Sequence, residues 1–376
     1  MKVGKTILSV MALAAAPVLL LQGIAAAEIG PGPVNWNGFW QADISRAFLQ
    51  VEESEGQISF TVPEEAVQLA RKAWAKEPLA SDALSVLATD LREAAEVQRL
   101  TALLDLASSI DKRNRFVGAL QLELALQAED IPRVFALIDR LSLTSPRLRS
   151  EFVAPLSALL GEEGGTPILR DALDARPVWA NAFWNRVPDS AEGVSNMYEL
   201  RRQTNVGTTD ETDARLLVGL ADNGFYRETL ELWRSLEGNL NNPLAFIDSG
   251  ALPPIGWRVL STGERTFSPR GGGRYDIYVE RQTAGELARQ LVELEPGAYV
   301  FVADAAPIDE AKNLEVALEC ATDEDPGSVG KSLDEELRWQ IGDTCEIYWL
   351  TVSASAWERA RPLRATISNM VFKRDS

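Results

Sequence analysis

The 376-residue chain contains no histidine. Imidazole is the base of Ser-His-Asp and Cys-His nucleophile systems, and it is a ligand in HExxH zinc sites and in many haem proteins. The absence of histidine therefore excludes these kinds of site. Basic residues are also scarce, since 37 Lys and Arg stand against 55 Asp and Glu, for a formal net charge of −18. Such a surface repels phosphate backbones, so we expect no nucleic-acid partner.

Apolar residues are not lacking, because 46% of the chain is hydrophobic and 24% is charged. That composition supplies enough apolar surface to offset chain entropy, which excludes disorder of the whole chain. At about 100–200 residues per domain, the length predicts two domains.

The only long apolar run lies at the start of the chain. Lys2 and Lys5 precede an apolar stretch from Ile7 to Leu21, and Ala25–Ala27 then supply small residues. This order is typical of a secretory signal peptide. The stretch is shorter than the about 20 residues that span a bilayer, which favours a signal peptide of residues 1–27 over an uncleaved membrane anchor. We expect a mature chain without a membrane span, in the periplasm, the cell envelope or the medium.

Cysteine is nearly absent, and its two copies, Cys320 and Cys345, lie in the last sixth of the chain. An exported protein meets an oxidising compartment, so we expect a disulfide between them. Two buried free thiols or a redox pair are the alternatives, although redox pairs are more often spaced as CxxC.

Helical periodicity predicts an all-α domain over residues 61–245, after an irregular segment of residues 28–60. Thr61 and Glu64 match a capping box, and the apolar residues that follow recur at spacings of three and four until Pro78. Similar amphipathic segments continue with breaks about every 15–20 residues, which is typical of stacked helix-turn-helix repeats. An irregular helical bundle is the alternative.

The period changes to two over residues 246–376. Gly, Pro and acidic clusters separate the short apolar alternations, which is typical of an antiparallel sandwich or jelly roll. The predicted strands are Trp257–Leu260, Arg274–Glu280, Ala288–Leu294, Ala298–Ala303, Leu314–Glu319, Glu336–Ile341, Glu346–Val352 and Ala365–Phe372. The fold class expected is therefore a multidomain α and β protein, with a helical array followed by a β-sandwich.

Two segments of the helical region resemble tetratricopeptide repeats. Residues 66–78 resemble the second helix of one such unit, and residues 222–236 resemble another unit through Gly224, Tyr226 and Trp233. The resemblance implies a solenoid that presents an extended surface to a protein partner.

The last 120 residues resemble galactose-binding-like jelly rolls, including carbohydrate-binding modules. The resemblance rests on the turn Leu294-Glu295-Pro296-Gly297-Ala298-Tyr299 and on the final strand Ile367-Ser368-Asn369-Met370-Val371-Phe372. The whole plan is similar to exported bacterial proteins that join tetratricopeptide-like helices to such a module. It implies a role in polysaccharide assembly or export.

Sugar sites place aromatic rings beside polar groups, and the second domain is rich in aromatics. Strand alternation predicts that Tyr275, Ile277 and Val279 face the core, which leaves Asp276, Tyr278 and Glu280 on the other face. The same reasoning, with Cys345, Ile347 and Trp349 on one face, predicts that Tyr348 is exposed and Trp349 is core. For any single aromatic, a core or ordinary surface position is more common than a place in a ligand site. The predicted binding residues are Tyr278, Tyr348, Arg274, Arg338 and Asp276.

We expect no cofactor and no catalytic residue. The acidic cluster Asp323–Asp325 offers oxygens that suit a structural calcium ion, but it lacks EF-hand spacing, which favours a solvated loop. The leading hypothesis is a non-catalytic envelope protein whose helices hold a protein partner and whose sandwich binds a polysaccharide. A carbohydrate-active enzyme, either a glycosidase or a lyase with an accessory sandwich, is the alternative, since paired carboxylates work without histidine. A structural protein without a ligand is a third hypothesis.

Overall fold

A computed structural model describes residues 37–54, 57–94, 96–237, 252–322, 330–334 and 337–375. The chain forms two compact units that divide between Thr208 and Thr209. The predicted signal peptide, residues 1–27, lies outside the described residues. Within the described ranges, no helix combines the length and the apolar character needed to cross a bilayer.

The first unit is helical, as the periodicity predicts. Its segments are α1 Gly38–Ala47, β1 Gln50–Ser54, β2 Gln57–Thr61, α2 Glu64–Lys76, α3 Ser81–Glu93, α4 Val97–Ile110, α5 Arg115–Gln127, α6 Ile131–Thr144, α7 Pro146–Ala158, α8 Gly165–Asp174, α9 Ala180–Trp184 and α10 Ala191–Gln203. The prediction of an irregular segment over residues 28–60 is wrong from Gly38 onward, where the chain forms α1 and an antiparallel β1–β2 hairpin.

Side-chain caps mark where several of these helices begin. Asn114 accepts from the backbone N–H groups of Phe116 and Val117 at the start of α5, and Asp130 caps α6 in the same way. The predicted capping box is wrong, because α2 starts at Glu64 with Pro63 as its N-cap residue and without a side-chain cap. Glu64 is therefore the first helical residue rather than the third, which is the position that reaches back in a capping box.

Small residues let α1 lie close to its neighbours α2 and α3. Their shared core contains one valine and otherwise only alanines, namely Ala42, Ala66, Ala70, Ala73, Ala80, Ala83 and Val86. At Gly38, a Cβ atom would lie 2.5 Å from the Cγ atom of Glu77 and 2.9 Å from the carbonyl oxygen of Ala73. The sequence of α1 thus fits a close helix approach that a larger residue at position 38 would block.

The second unit adds two helices to a β-sandwich. Its segments are α11 Asp210–Asp222, α12 Tyr226–Glu237, β3 Arg258–Val259, β4 Arg265–Gly271, β5 Arg274–Val279, β6 Ala284–Glu293, β7 Gly297–Ala306, β8 Leu314–Cys320, β9 Lys331–Ser332, β10 Leu337–Ile341, β11 Ile347–Ser355 and β12 Leu363–Arg374. All eight predicted strands are present, whereas β4 and β9 were not predicted. Strands begin beyond residue 245, but α11 and α12 belong to the same compact unit as the strands.

The sandwich consists of two five-stranded antiparallel sheets. The first sheet has the strand order β10-β7-β12-β5-β4, and the second has the order β3-β6-β11-β8-β9. From β5 to β8, and again from β10 to β12, consecutive strands alternate between the sheets, which is typical of a jelly roll. Apolar residues from both inner faces, among them Phe267, Val279, Leu350 and Phe372, fill one continuous core.

The expected disulfide is present between Cys320, at the end of β8, and Cys345, just before β11. The two residues are 25 positions apart in sequence, and their Cα atoms lie 6.0 Å apart. The bridge therefore ties the neighbouring ends of two paired strands in the second sheet.

We expect the change Cys320→Ser with Cys345→Ser to lower the free energy of unfolding of the sandwich by about 3 kcal/mol, because the open chain gains loop entropy. Urea denaturation followed by tryptophan fluorescence measures this difference. Reduction of the wild-type protein should reproduce it, while the double variant should not respond to reductant. Equal midpoints for wild-type and variant protein would contradict the expectation.

Candidate functional site

The outward face of the second sheet is covered by helices of its own unit. The Oδ1 atom of Asp222, at the end of α11, lies 2.5 Å from Nη1 of Arg258 and 3.1 Å from Nη2 of Arg289. The Arg289 guanidinium lies 4.5 Å from the ring centre of Trp349, and Tyr226 of α12 meets the same indole edge-on at 6.1 Å. We call this surface the covered face, defined by Arg258, Glu286, Arg289 and Trp349.

Two further ion pairs join α12 to the covered face. The half-buried carboxyl of Glu286 indicates that water is partly excluded from this contact. Arg234 pairs with Glu293, and Arg227 lies 3.4 Å from Glu346. Burial raises the pKa of Glu286, although the nearby Arg289 acts in the opposite direction. The covered face is thus a partly dry intramolecular contact and not a free binding surface.

The outward face of the first sheet carries exposed side chains along β7 and β12. Val302 and Val371 lie opposite each other on these strands and are 47% and 46% exposed. Asn369 donates to the Oδ2 atom of Asp304 at 2.6 Å beside them. We call this surface the open face. Its outward residues are Asp276, Tyr278, Val302, Asp304, Arg364, Thr366, Val371, Lys373 and Arg338.

Tyr278 lies on the open face as predicted, within a group of charged residues. Its hydroxyl donates to the Oε2 atom of Glu280 at 2.6 Å, and the Arg364 guanidinium lies 5.4 Å from its ring centre. The hydrogen bond to Glu280 raises the pKa of Tyr278, and the same bond, with the backbone N–H of Arg281, lowers the pKa of Glu280. The ring is therefore held in one orientation by an acceptor at its hydroxyl and a cation at its face.

Asp276 lies on the same face of β5, one pleat from Tyr278. Its Oδ1 atom accepts from Thr366 at 3.1 Å, and its Oδ2 atom accepts from Arg270. Arg274 begins β5 at the turn that Gly271, with positive φ, makes from β4. Three of the five predicted residues thus share one strand.

Arg338 shares the open face but lies far from Tyr278. It is opposite Val300, which is opposite Lys373, whereas Tyr278 is opposite Arg364. At about 3.3 Å per residue, allowing for the bulge in β12, Arg364 and Lys373 are roughly 25 Å apart along the strand. One small ligand cannot contact both Tyr278 and Arg338.

The prediction that Tyr348 is exposed is wrong, whereas Trp349 is buried as predicted, although on the opposite face of its sheet from the sandwich core. Tyr348 is 8% exposed and belongs to the sandwich core, where its hydroxyl donates to the carbonyl oxygen of Cys345 at 3.1 Å and burial raises its pKa. Trp349 points to the covered face. Cys345 lies before β11 begins at Ile347, so its side chain does not set the alternation of that strand.

Two further residues of the open face, Arg364 and Thr366, lie beside the predicted binding residues Tyr278 and Asp276. Arg364 directly precedes the predicted strand Ala365–Phe372 and Thr366 is the second residue of that strand, whereas β12 starts at Leu363. Strand alternation places both residues on one face, and their pairing with Tyr278 and Asp276 makes it the open face.

A facing pair of carboxyls occurs in the helical unit, where the enzyme hypothesis requires one. Asp43 on α1 and Asp82 on α3 share a hydrogen bond, and Asp82 also accepts from Arg46 at 2.8 Å and from Asn114 at 3.0 Å. Glycosidases keep their two carboxyls about 5–9.5 Å apart. Two carboxyls in direct hydrogen-bond contact do not have this geometry.

The described residues contain no group of three acidic or cysteine side chains that could hold a metal ion. The acidic cluster Asp323–Asp325, considered for calcium, lies outside the described residues.

No protein-family model matches the chain. A search of curated proteins also finds no match.

We expect Asp43→Asn to stabilise the helical unit more at pH 7 than at pH 4. Desolvation between the helices, followed by the charge on Asp82, raises the pKa of Asp43 above 3.8. The folded state therefore binds the Asp43 proton more tightly than the unfolded state does. The free energy of unfolding falls as pH rises through the raised pKa, and the Asn variant avoids that loss. Melting temperatures from circular dichroism at the two pH values measure the effect. Asp90→Asn, at an exposed carboxylate 3.7 Å from Arg71, is the matched control. An equal Asp43→Asn shift at both pH values would contradict the argument.

Proposed function

We propose that this protein is a non-catalytic binding protein of the cell envelope, and that its sandwich binds a polysaccharide on the open face. One observation carries the proposal. Helices of the same unit cover one sheet, while the other sheet presents a partly exposed, oriented tyrosine among hydrogen-bonding side chains.

The chemistry of the open face suits a sugar. A pyranose ring has an apolar C–H face, which packs on an aromatic ring, and a rim of hydroxyls, which both donate and accept. Beside Tyr278, the carboxylates of Glu280 and Asp276 accept hydrogen bonds, and Arg364 donates them. The side chains are already paired with one another, so little conformational entropy remains to be lost on binding.

The dimensions of the face favour a polymer over a monosaccharide. Tyr278 and Arg338 lie three strands apart, which is about 14 Å across the sheet, in addition to the roughly 25 Å along β12. A chain of several sugar units can contact both ends and gain from each contact, whereas a single sugar occupies only one end.

The helical unit is proposed to hold a protein partner. Its helices pack against their neighbours in sequence, as in the tetratricopeptide-like solenoid that the sequence resembles, and such arrays present extended surfaces. Leu79, Val97, Leu106 and Leu143 are exposed on this unit and offer apolar contacts. Assembly or export of a polysaccharide is the process that the resemblance implies, and the disulfide supports an oxidising compartment.

We expect Tyr278→Ala to weaken polysaccharide binding about 5- to 30-fold, since a stacked aromatic contributes about 1–2 kcal/mol. Arg364→Ala should weaken it by a similar factor, and Tyr278→Phe by less, because the ring remains. Affinity electrophoresis in gels that contain a neutral glucan, a xylan or alginate measures the effect.

Arg215→Ala, on α11, is the matched control for Arg364→Ala, because Arg215 is an exposed arginine paired 2.7 Å from Glu211. The polysaccharide should retard this variant as much as it retards the wild type. If wild-type protein binds a polysaccharide while Tyr278→Ala and Arg364→Ala bind equally well, the open face is not the site. If wild-type protein is not retarded by any polysaccharide, the proposed function itself fails.

A further inference from the structure

Two large apolar side chains are exposed beyond the end of the sandwich. Ile308 is 83% exposed and Trp357 is 67% exposed, which makes them the two most exposed large apolar residues in the described part of the chain. Trp357 lies in the β11–β12 loop, and Ile308 begins a short 3₁₀ helix, Ile308–Asn313, between β7 and β8. An indole left in water forgoes the free energy that its burial would give. Two such side chains, whose segments are joined by an ion pair, make this end of the sandwich a candidate contact surface.

Backbone hydrogen bonds hold the Trp357 loop in place. The neighbouring Ala356 is fully buried, its N–H donates to the carbonyl oxygen of Thr283 at 2.8 Å, and its own carbonyl oxygen accepts from Gln282 at 2.9 Å. Arg359 then closes the turn by donating its backbone N–H to the same Ala356 carbonyl oxygen at 3.2 Å. Backbone contacts with the Gln282–Thr283 turn thus fix the position of the loop.

One ion pair links the loop of Trp357 to the helix of Ile308. Arg359 donates through both terminal nitrogens to Glu310, with Nη2 at 2.8 Å from Oε1, and Asn313 supports the same carboxylate at 3.0 Å. The pairing with Arg359 lowers the pKa of Glu310. Trp357 lies two residues before Arg359, and Ile308 lies two residues before Glu310. The ion pair therefore links the two segments that carry these apolar side chains.

The same loop is continuous with the Tyr278 end of the open face. The hydroxyl of Thr283 donates to the carbonyl oxygen of Glu280 at 2.6 Å, and Thr283 also holds Ala356, next to Trp357. Glu280 in turn accepts from Tyr278. A short chain of hydrogen bonds therefore links the backbone next to Trp357 to Glu280, the residue that orients Tyr278.

We infer that Trp357 is a second aromatic platform of the polysaccharide site, on which one further pyranose unit stacks, with Ile308 at its border. The inference rests on the proposed function. It commits to a sugar because two side chains offer far less than the about 800 Å² that each partner buries in a stable protein interface.

Affinity electrophoresis of the full-length protein tests the inference, in gels with a neutral glucan, a xylan or alginate. Trp357→Ala should weaken binding at least fivefold, Trp357→Phe should weaken it less, and Ile308→Ser should weaken it about twofold. Since Trp357 is exposed, the variants should melt like the wild type. Leu143→Ala, which truncates a 64% exposed side chain on α6, is the control and should bind normally.

The outcomes separate this inference from the proposed function. If Tyr278→Ala loses binding and Trp357→Ala binds like the wild type, the second platform is wrong and the open face stands. Absence of binding by wild-type protein overturns both. Sedimentation with phosphatidylcholine vesicles that depends on Trp357, in a protein that the polysaccharides do not retard, would make the residue a lipid contact and overturn the inference.

Discussion

The placement of a binding surface on this sandwich depends on how its own two helices dock. A single carboxylate, Asp222, is shared by two guanidiniums from neighbouring strands, Arg258 and Arg289, and the second guanidinium stacks on Trp349. An aromatic with a cation on its face would otherwise be the obvious ligand platform of the second sheet. Because Trp349 is buried and Tyr226 of α12 packs against it, the first sheet carries the more accessible aromatic, Tyr278.

Much of this fold was predictable because one face of each strand is buried and the other is not. Alternation with period two places every predicted strand, and it puts Asp276 and Tyr278 outward on β5. Alternation does not predict β4 and β9, and the reason is physical in each case. Strand β4 lies at the edge of its sheet and contains Pro269, and edge strands tolerate proline because they lack a partner on one side. Strand β9 has two residues, too few for any alternation.

The site was less predictable, because alternation gives the face of a residue and not its neighbours. It places Arg338 and Tyr278 on one face, but the strand order separates them by the width of three strands. It fails at Tyr348, where the alternation was anchored on a cysteine that precedes the strand. Trp357 lies in a loop without periodicity, so only the exposure of its side chain distinguishes it from the core aromatics.

The charges of the open face further restrict which polymer the proposed site could bind. Although the chain carries a formal charge of −18, the carboxylates on or beside this face are matched locally. Asp276 pairs with Arg270 and Asp375 with Arg338, while Asp304 and Glu280 accept hydrogen bonds from an amide and a phenol. A polyanion would meet the guanidiniums of Arg270, Arg338 and Arg364, which are already engaged by carboxylates or by an aromatic ring, and it would compete with those partners for them. A neutral polymer can add hydroxyl hydrogen bonds to the remaining lone pairs without breaking any pair. The electrostatic matching of the face therefore favours an uncharged, hydroxyl-rich chain over an acidic one.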